Sequence, residues 1–264
     1  MARGSAAGES STGGTAPVAS APRGTAAREL IAETALRLFA ERGVDAVSLR
    51  EITAASGQRN KSAAQYHFGD KERLILEIFE RHTGRVNARR QAVLAELHEE
   101  HEQHEQHEQH PSLEDLVDAL LRPLAETIDE HSHYLRFLAQ VSLTPWTDTL
   151  VRADPTVTHS VQTVFTALAQ LLDDLPEPVL RTRLALAMML AVRALAACEQ
   201  SMRPGSRGNA RRVALLTANL VDSTIGILRA PVSEATRKLL PGAPKPPATD
   251  GWPWHLLLGA EAGL

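Results

Sequence analysis

The chain has 264 residues, 43% of them hydrophobic and 4% aromatic, with a formal net charge of −4. That is enough for one small domain and a larger one with a substantial core, and the abundance of Ala and Leu favours helices over sheets. The acidic balance excludes a protein that coats nucleic acid indiscriminately but leaves room for a local basic surface. A single cysteine, Cys198, excludes an internal disulfide framework and fits a reducing cytoplasm. No apolar run approaches the roughly 20 residues of a membrane helix.

Met1–Gly24 lacks the apolar centre of a signal peptide, and its Gly, Ser, Ala and Thr content predicts a disordered arm over residues 1–24. Order begins near Thr25. Leu30, Ile31, Ala35, Leu38 and Phe39 form an apolar stripe at helical spacing, and Gly43 ends the helix. Arg28, near its start, reads either as a phosphate contact or as solvated surface. Ser48 and Glu51 form a capping box for a short helix with Leu49, Ile52 and Ala55 on one face, stopped by Gly57. Asn60 is the expected cap of a second short helix through Tyr66, with Lys61, Gln65 and Tyr66 outward and Ala63, Ala64 and Phe68 as its small and apolar positions. Gly69 ends it, and Asp70 caps the next helix, with Lys71 and Arg73 in its first turn.

A helix that enters the major groove needs a narrow body, donors near its N-terminal end and phosphate anchors on its flanks. Ala63 and Ala64 supply the narrowness, and Arg59, Asn60, Lys61, Ser62 and Gln65 supply donors and amides for base edges. Tyr66, His67 and Lys71 are expected on the phosphate backbone, which fixes register without reading sequence, and Ser48 is counted with the DNA-binding residues. Residues 25–75 hold eight Lys/Arg against seven Asp/Glu, so the argument for DNA rests on placement, not net charge.

With these residues in view, the sequence resembles the TetR/AcrR-type transcriptional regulators. The resemblance lies in Thr34–Phe39, Gly43, Leu49–Gly57 and the run Tyr66-His67-Phe68-Gly69-Asp70-Lys71, and spans roughly residues 25–80. In two places the chain departs from the common pattern: the turn after Gly57 is one residue longer, and Gln65 stands where many members have a first tyrosine. The resemblance implies an all-α protein, with a three-helix helix-turn-helix DNA-binding domain over 25–72. A larger helical ligand-binding and dimerisation domain over 73–230 and a C-terminal extension over 231–264 would follow. Its implied partners are double-stranded operator DNA, a small-molecule effector and a second copy of the chain.

A long helix is expected from Asp70 to about His98, with Leu74, Ile78, Phe79, His82, Val86 and Val93 marking its inner face. In the resemblance its tilt carries the regulatory signal. The three-residue repeat His101–His110 raises a metal hypothesis, because imidazole ligates zinc and nickel. A three-residue step turns about 300° on a helix, however, and no Cys or carboxylate set accompanies it, so a polar helix end or linker is expected and no metal or cofactor. Pro111 and Ser112 restart order with a helix to about His131, kinked at Pro123. Shorter helices follow over His133–Leu143 and from Asp154 to about Asp173. Phe79, His82, Tyr134, Phe137, Trp146 and Phe165 are the candidate lining of a ligand chamber, each alternatively ordinary core.

Helices over Pro176–Met202 and Asn209–Arg229 are longer than a monomer core needs and are expected to pair with a second copy in a four-helix interface. Arg193 lies in so apolar a stretch that a salt-bridge partner or a ligand anion is expected for it. A short turn over Val232–Leu240 precedes a tail ending in Trp252-Pro253-Trp254-His255-Leu256-Leu257-Leu258, either docked on the body or an interaction peptide. Catalysis is not expected, since no phosphate-cradling glycine motif and no nucleophile–base pair occurs. The sequence therefore reads as a ligand-responsive dimeric DNA-binding regulator, with an effector-independent DNA-binding or architectural protein as the alternative.

Overall fold

The computed structural model describes residues 23–102, 111–142, 144, 146, 149–150 and 152–240. Among them are ten α-helices and no strand. The first three helices, α1 (Arg23–Arg42), α2 (Leu49–Ala55) and α3 (Ala63–Phe68), form the head. Ile31, Ala35 and Phe39 of α1 are fully buried, but Leu30, expected on the same stripe, is 50% exposed. Neighbours on a helix stand about 100° apart, and Ile31 takes the inward place.

Helix α2 starts on the expected capping box, in which the Ser48 hydroxyl accepts the Glu51 N–H and the Glu51 side chain takes the Ser48 N–H. Gly57 and Gly69 close α2 and α3 at φ of 67° and 80°, a region in which a side chain is strained. Asn60 does not cap α3. Its Oδ1 accepts the Ser62 N–H at 3.0 Å, and its carbonyl accepts the Ala63 N–H at 3.0 Å. This local turn competes with helix, and α3 starts three residues beyond Asn60.

Helix α4 (Lys71–Glu102) follows on the Asp70 cap and runs about 48 Å at helical rise. It passes the expected end at His98 and enters the repeat; residues 103–110 lie outside the described residues. Helix α5 (Leu113–Ala125), capped by Ser112 and Asp115, buries nine of its thirteen residues and is the centre of the body. It ends at Ala125 instead of near His131. Pro123 has no N–H to give the Ala119 carbonyl, which instead accepts from Arg90 Nε at 3.0 Å, and tight turns through Thr127 and Ile128 close the helix.

Helix α6 (Tyr134–Val141) comes next. The expected helix from Asp154 is split into a 3₁₀ turn, Pro155–Thr158, and α7 (His159–Leu171), because the Asp154 side chain takes the Thr156 N–H and tightens the entry. Helices α8 (Glu177–Gln200), α9 (Asn209–Arg229) and the short α10 (Glu234–Leu239) complete the chain. The arm over 1–22 and the tail with Trp252–Leu258 lie outside the described residues.

The hydrophobic core runs unbroken from Ile31 in the head to Leu228 in α9. Helix α1 packs directly on α6, where the Phe39 and Phe137 rings stack at 6.2 Å. Head and body are also joined by Trp146 Nε1 donating to Asp45 at 2.6 Å, by Arg152 on Glu72 at 3.1 Å, and by His82 facing Glu33 at 3.7 Å. Arg193 needs no buried partner, since it is exposed on α8. It shares that outer face with Leu186, Met189 and Leu190, which are 53%, 41% and 44% exposed.

Candidate nucleic-acid interface

The head holds α3 from behind and leaves its front open. Ala64 is fully buried and Ala63 nearly so, which makes their smallness a requirement of packing α3 against the head rather than of entering a groove. Thr53 of α2 fixes the join between the two helices: its buried hydroxyl donates to the Leu49 carbonyl at 2.8 Å and accepts the Ala64 N–H at 3.2 Å. Sequence reasoning missed Thr53, whose only signal is a polar residue next to inward Ile52.

Ser62, Gln65 and Tyr66 share the opposite face at helical spacing, and all are exposed, Tyr66 at 80%. Arg59, Asn60 and Lys61 are exposed in the turn leading to it. His67 is half-buried, edge-on to Tyr66 at 5.2 Å. Two of the expected DNA-binding residues have partners within the protein. Ser48 has its N–H and hydroxyl both engaged with Glu51, whose carboxyl is held down at about 2 by the Ser48 backbone N–H, then the Ser48 hydroxyl, then Arg42. Lys71 is half-buried, its ammonium 5.4 Å from the Trp146 ring and 5.8 Å from Phe39; burial pushes its pKa down, against the pull of Asp45 and Glu51.

Arg28 is not idle surface. Its Nε donates to Glu77 at 3.0 Å, its Nη1 donates to the His67 carbonyl at 2.8 Å, and its guanidinium lies 4.8 Å from the Phe68 ring. The Glu77 hydrogen bond raises the Arg28 pKa. One side chain thus ties α1, the end of α3 and α4 together. Arg28→Ala is expected to weaken binding of a selected duplex roughly fivefold, about 1 kcal/mol after allowance for solvent screening, with little change in melting temperature. Fluorescence anisotropy beside a melting curve measures both; unchanged affinity would remove Arg28 from the positioning role.

The candidate ligand residues divide. His82 stacks on Tyr134 at 5.0 Å, and Tyr134 adjoins Phe137 at 6.4 Å. The Tyr134 hydroxyl bonds Thr83 at 2.6 Å, and burial pushes its pKa up to about 12. Phe79 and Phe165 are buried in the same core, whereas Trp146 turns to Asp45 and the head. A cleft of about 820 Å³ opens elsewhere, between α5, the 126–130 turn and the start of α9, with Asp118, Arg122, Glu126 and Arg207 on its walls. It joins residues 100 positions apart and left no local trace in the sequence.

Residues 31–78 match the model of the family described as bacterial regulatory proteins, tetR family. Over 69 residues the chain is 36% identical to the HTH-type transcriptional repressor AcnR of Corynebacterium glutamicum, covering 26% of this chain and 36% of that protein. Over 53 residues it is 45% identical to the HTH-type transcriptional regulator AcrR of Shigella flexneri, covering 20% of this chain and 24% of that protein. The alignments thus span little more than a third of these relatives at most. In fold, a crystal structure of a putative tetR family transcription regulator from Shewanella sp. PV-4 superposes with a TM-score of 0.51 at 14% identity, covering 76% of this chain and 95% of that one. That likeness carries the all-helical fold through the body, beyond the matched head.

Proposed function

We propose, from the match of residues 31–78 to the model of the tetR family, that the protein is a dimeric, ligand-responsive DNA-binding transcriptional regulator. Its expected mode is a repressor released from a near-palindromic operator, acting in the cytoplasm. The observation that carries this reading is the outward face of α3, where Ser62, Gln65 and Tyr66 stand exposed on a helix whose other side is buried in the head. Lys61 and Arg59 beside it supply donors for bases and phosphates, and the Lys71 ammonium is the flanking cation. No described helix is long and apolar enough to cross a membrane.

The two-fold partner is a second copy of this chain. Helix α9 buries only Leu220, Val221, Thr224 and Leu228, while Leu215 is 64% exposed, and the outer stripe of α8 carries Leu186, Met189 and Leu190. Exposed leucines along two long helices favour an isologous four-helix contact. Pairing would set two copies of α3 about one DNA turn apart. Sedimentation equilibrium at micromolar concentration is expected to give twice the chain mass, and L186E with L215E a monomer; a monomeric parent protein would overturn the pairing.

An effector acts in this scheme by binding one head spacing better than the other. The body has two routes to the head: α6 through the Phe39–Phe137 contact, and α4 through His82 and Glu33. The proposed chamber is the α4–α6–α7 junction with Phe79, His82, Tyr134, Phe137 and Phe165, Trp146 standing at its head end. Burial of Phe137 and Phe165, at 0% and 1% exposure, favours the second reading, an effector-independent DNA-binding protein with these rings as plain core. Retained duplex affinity across a broad metabolite screen would select that second reading; release by one compound would select the first.

A further inference from the structure

Thr83, Asn87 and Arg90 lie at i, i+4 and i+7 on α4, a polar stripe along the helix's inner side. Arg90 is 1% exposed, the largest fully buried side chain among the described residues. Its Nε donates to the Ala119 carbonyl at 3.0 Å, its Nη2 to the Leu120 carbonyl at 3.0 Å, and its Nη1 to the Ser160 hydroxyl at 3.2 Å. All three acceptors are neutral. Among the described residues no carboxylate is paired with this guanidinium.

Buried charges in proteins are paired, because an isolated one costs several kcal/mol even after relaxation. Pro123 explains part of the arrangement, since it frees the Ala119 carbonyl for a donor. The three bonds fasten α4 to α5 and α7 but bring no counter-charge to the guanidinium. The neighbouring polar side chain of the stripe does not compensate it: Asn87 accepts the Ser160 N–H through its Oδ1 at 2.8 Å. A guanidinium has five N–H donors and three are engaged here, which leaves two. The two left are one on Nη1 and one on Nη2, and a carboxylate with its two oxygens can accept from both.

We propose that Arg90 is the receptor for an anionic effector, a small carboxylate with an apolar body, whose head group takes the two open N–H donors of the buried guanidinium. The body of such a ligand lies toward the His82, Tyr134 and Phe137 rings. This deepens the reading of the α4–α6–α7 junction as an effector chamber and rests on it. Arg90 also fastens α4 to α5 and α7, so neutralising it alters the grip on the helix that leads to the head.

The test is calorimetric and uses full-length protein without DNA, with 4-phenylbutyrate and decanoate as probes and their primary amides as neutral controls. Both acids are expected to bind at least tenfold more tightly than their amides. R90Q is expected to lose that preference and R90K, which keeps the charge without the fork, to retain part of it. R207A, on the wall of the α5–α9 cleft, is expected to bind as the parent does. Should R90Q not fold, R90K and R207A decide alone. Absence of acid binding, equal binding of acid and amide, an undiminished preference in R90K, or loss of the preference in R207A would each overturn the assignment. Acid binding that leaves duplex affinity unchanged would keep the site and defeat the effector mechanism instead.

Discussion

Replacing Gln65 and Tyr66 together by alanine is expected to lower selective duplex affinity by roughly two orders of magnitude and leave the melting temperature in place. Both side chains are exposed on α3, Tyr66 at 80%, and neither has a structural partner beyond the edge contact with His67. A good base contact is worth about 1–3 kcal/mol, so losing two contacts on one helix face reaches that range. The paired control is Ala64→Leu on the opposite face. Ala64 is fully buried and its N–H is held by Thr53, so an added side chain overpacks the head at about 1–3 kcal/mol and lowers stability and binding together. Anisotropy and thermal melting of the two variants separate a reading face from a packing face. If Gln65 and Tyr66 are dispensable for selection, α3 is not the reading helix.

The largest stability effect is expected at Glu199. Its side chain is fully buried at the end of α8, and its carboxylate accepts the N–H groups of Leu135 and Arg136 at 3.3 and 3.0 Å and the Arg136 Nε at 3.2 Å. It thereby closes the open N-terminus of α6, the helix on which α1 rests, and pairs with the Arg136 guanidinium. Glu199→Ala leaves two helix N–H groups and a guanidinium without their acceptor, a loss of about 3–5 kcal/mol. Domains of this kind have roughly 5–15 kcal/mol in total, so the loss is a large fraction. Glu199→Gln keeps an acceptor and is expected to fall between parent and alanine. Urea unfolding at one fixed protein concentration measures it, because dimerisation makes apparent stability concentration-dependent. A loss below about 1 kcal/mol would mean that α6 is held by packing alone.

The head was legible because its signals are local. Ser48 with Glu51, Gly57, Gly69 and Asp70 each fix a helix end within a few residues, and each end lies where the sequence places it. Asn60 misled because its side chain serves a turn as readily as a cap. In the body the missing information is tertiary. Position 90 falls on the inner face marked by Val86 and Val93, and position 199 four residues after Leu195, so in both places a charge interrupts an apolar stripe. That pattern signals a buried ion but not its partner, because Ser160, Ala119 and Leu135 come from helices far along the chain. Arg193 shows the reverse error: an apolar neighbourhood in sequence that is outer surface in the fold. The aromatic set reads as one chamber in sequence, yet Trp146 answers to Asp45, some 101 residues away, by a hydrogen bond no local pattern announces.

The reading of α3 as a DNA-reading helix held by a two-fold partner is tested most directly by selection from a pool of random duplexes in the presence of bulk competitor DNA. The account predicts an enriched near-palindrome whose half-sites lie about one helical turn apart, lost when Gln65, Tyr66 and Lys71 are changed together. A pool that shows no enrichment, or an enriched sequence still selected by the triple variant, would contradict it.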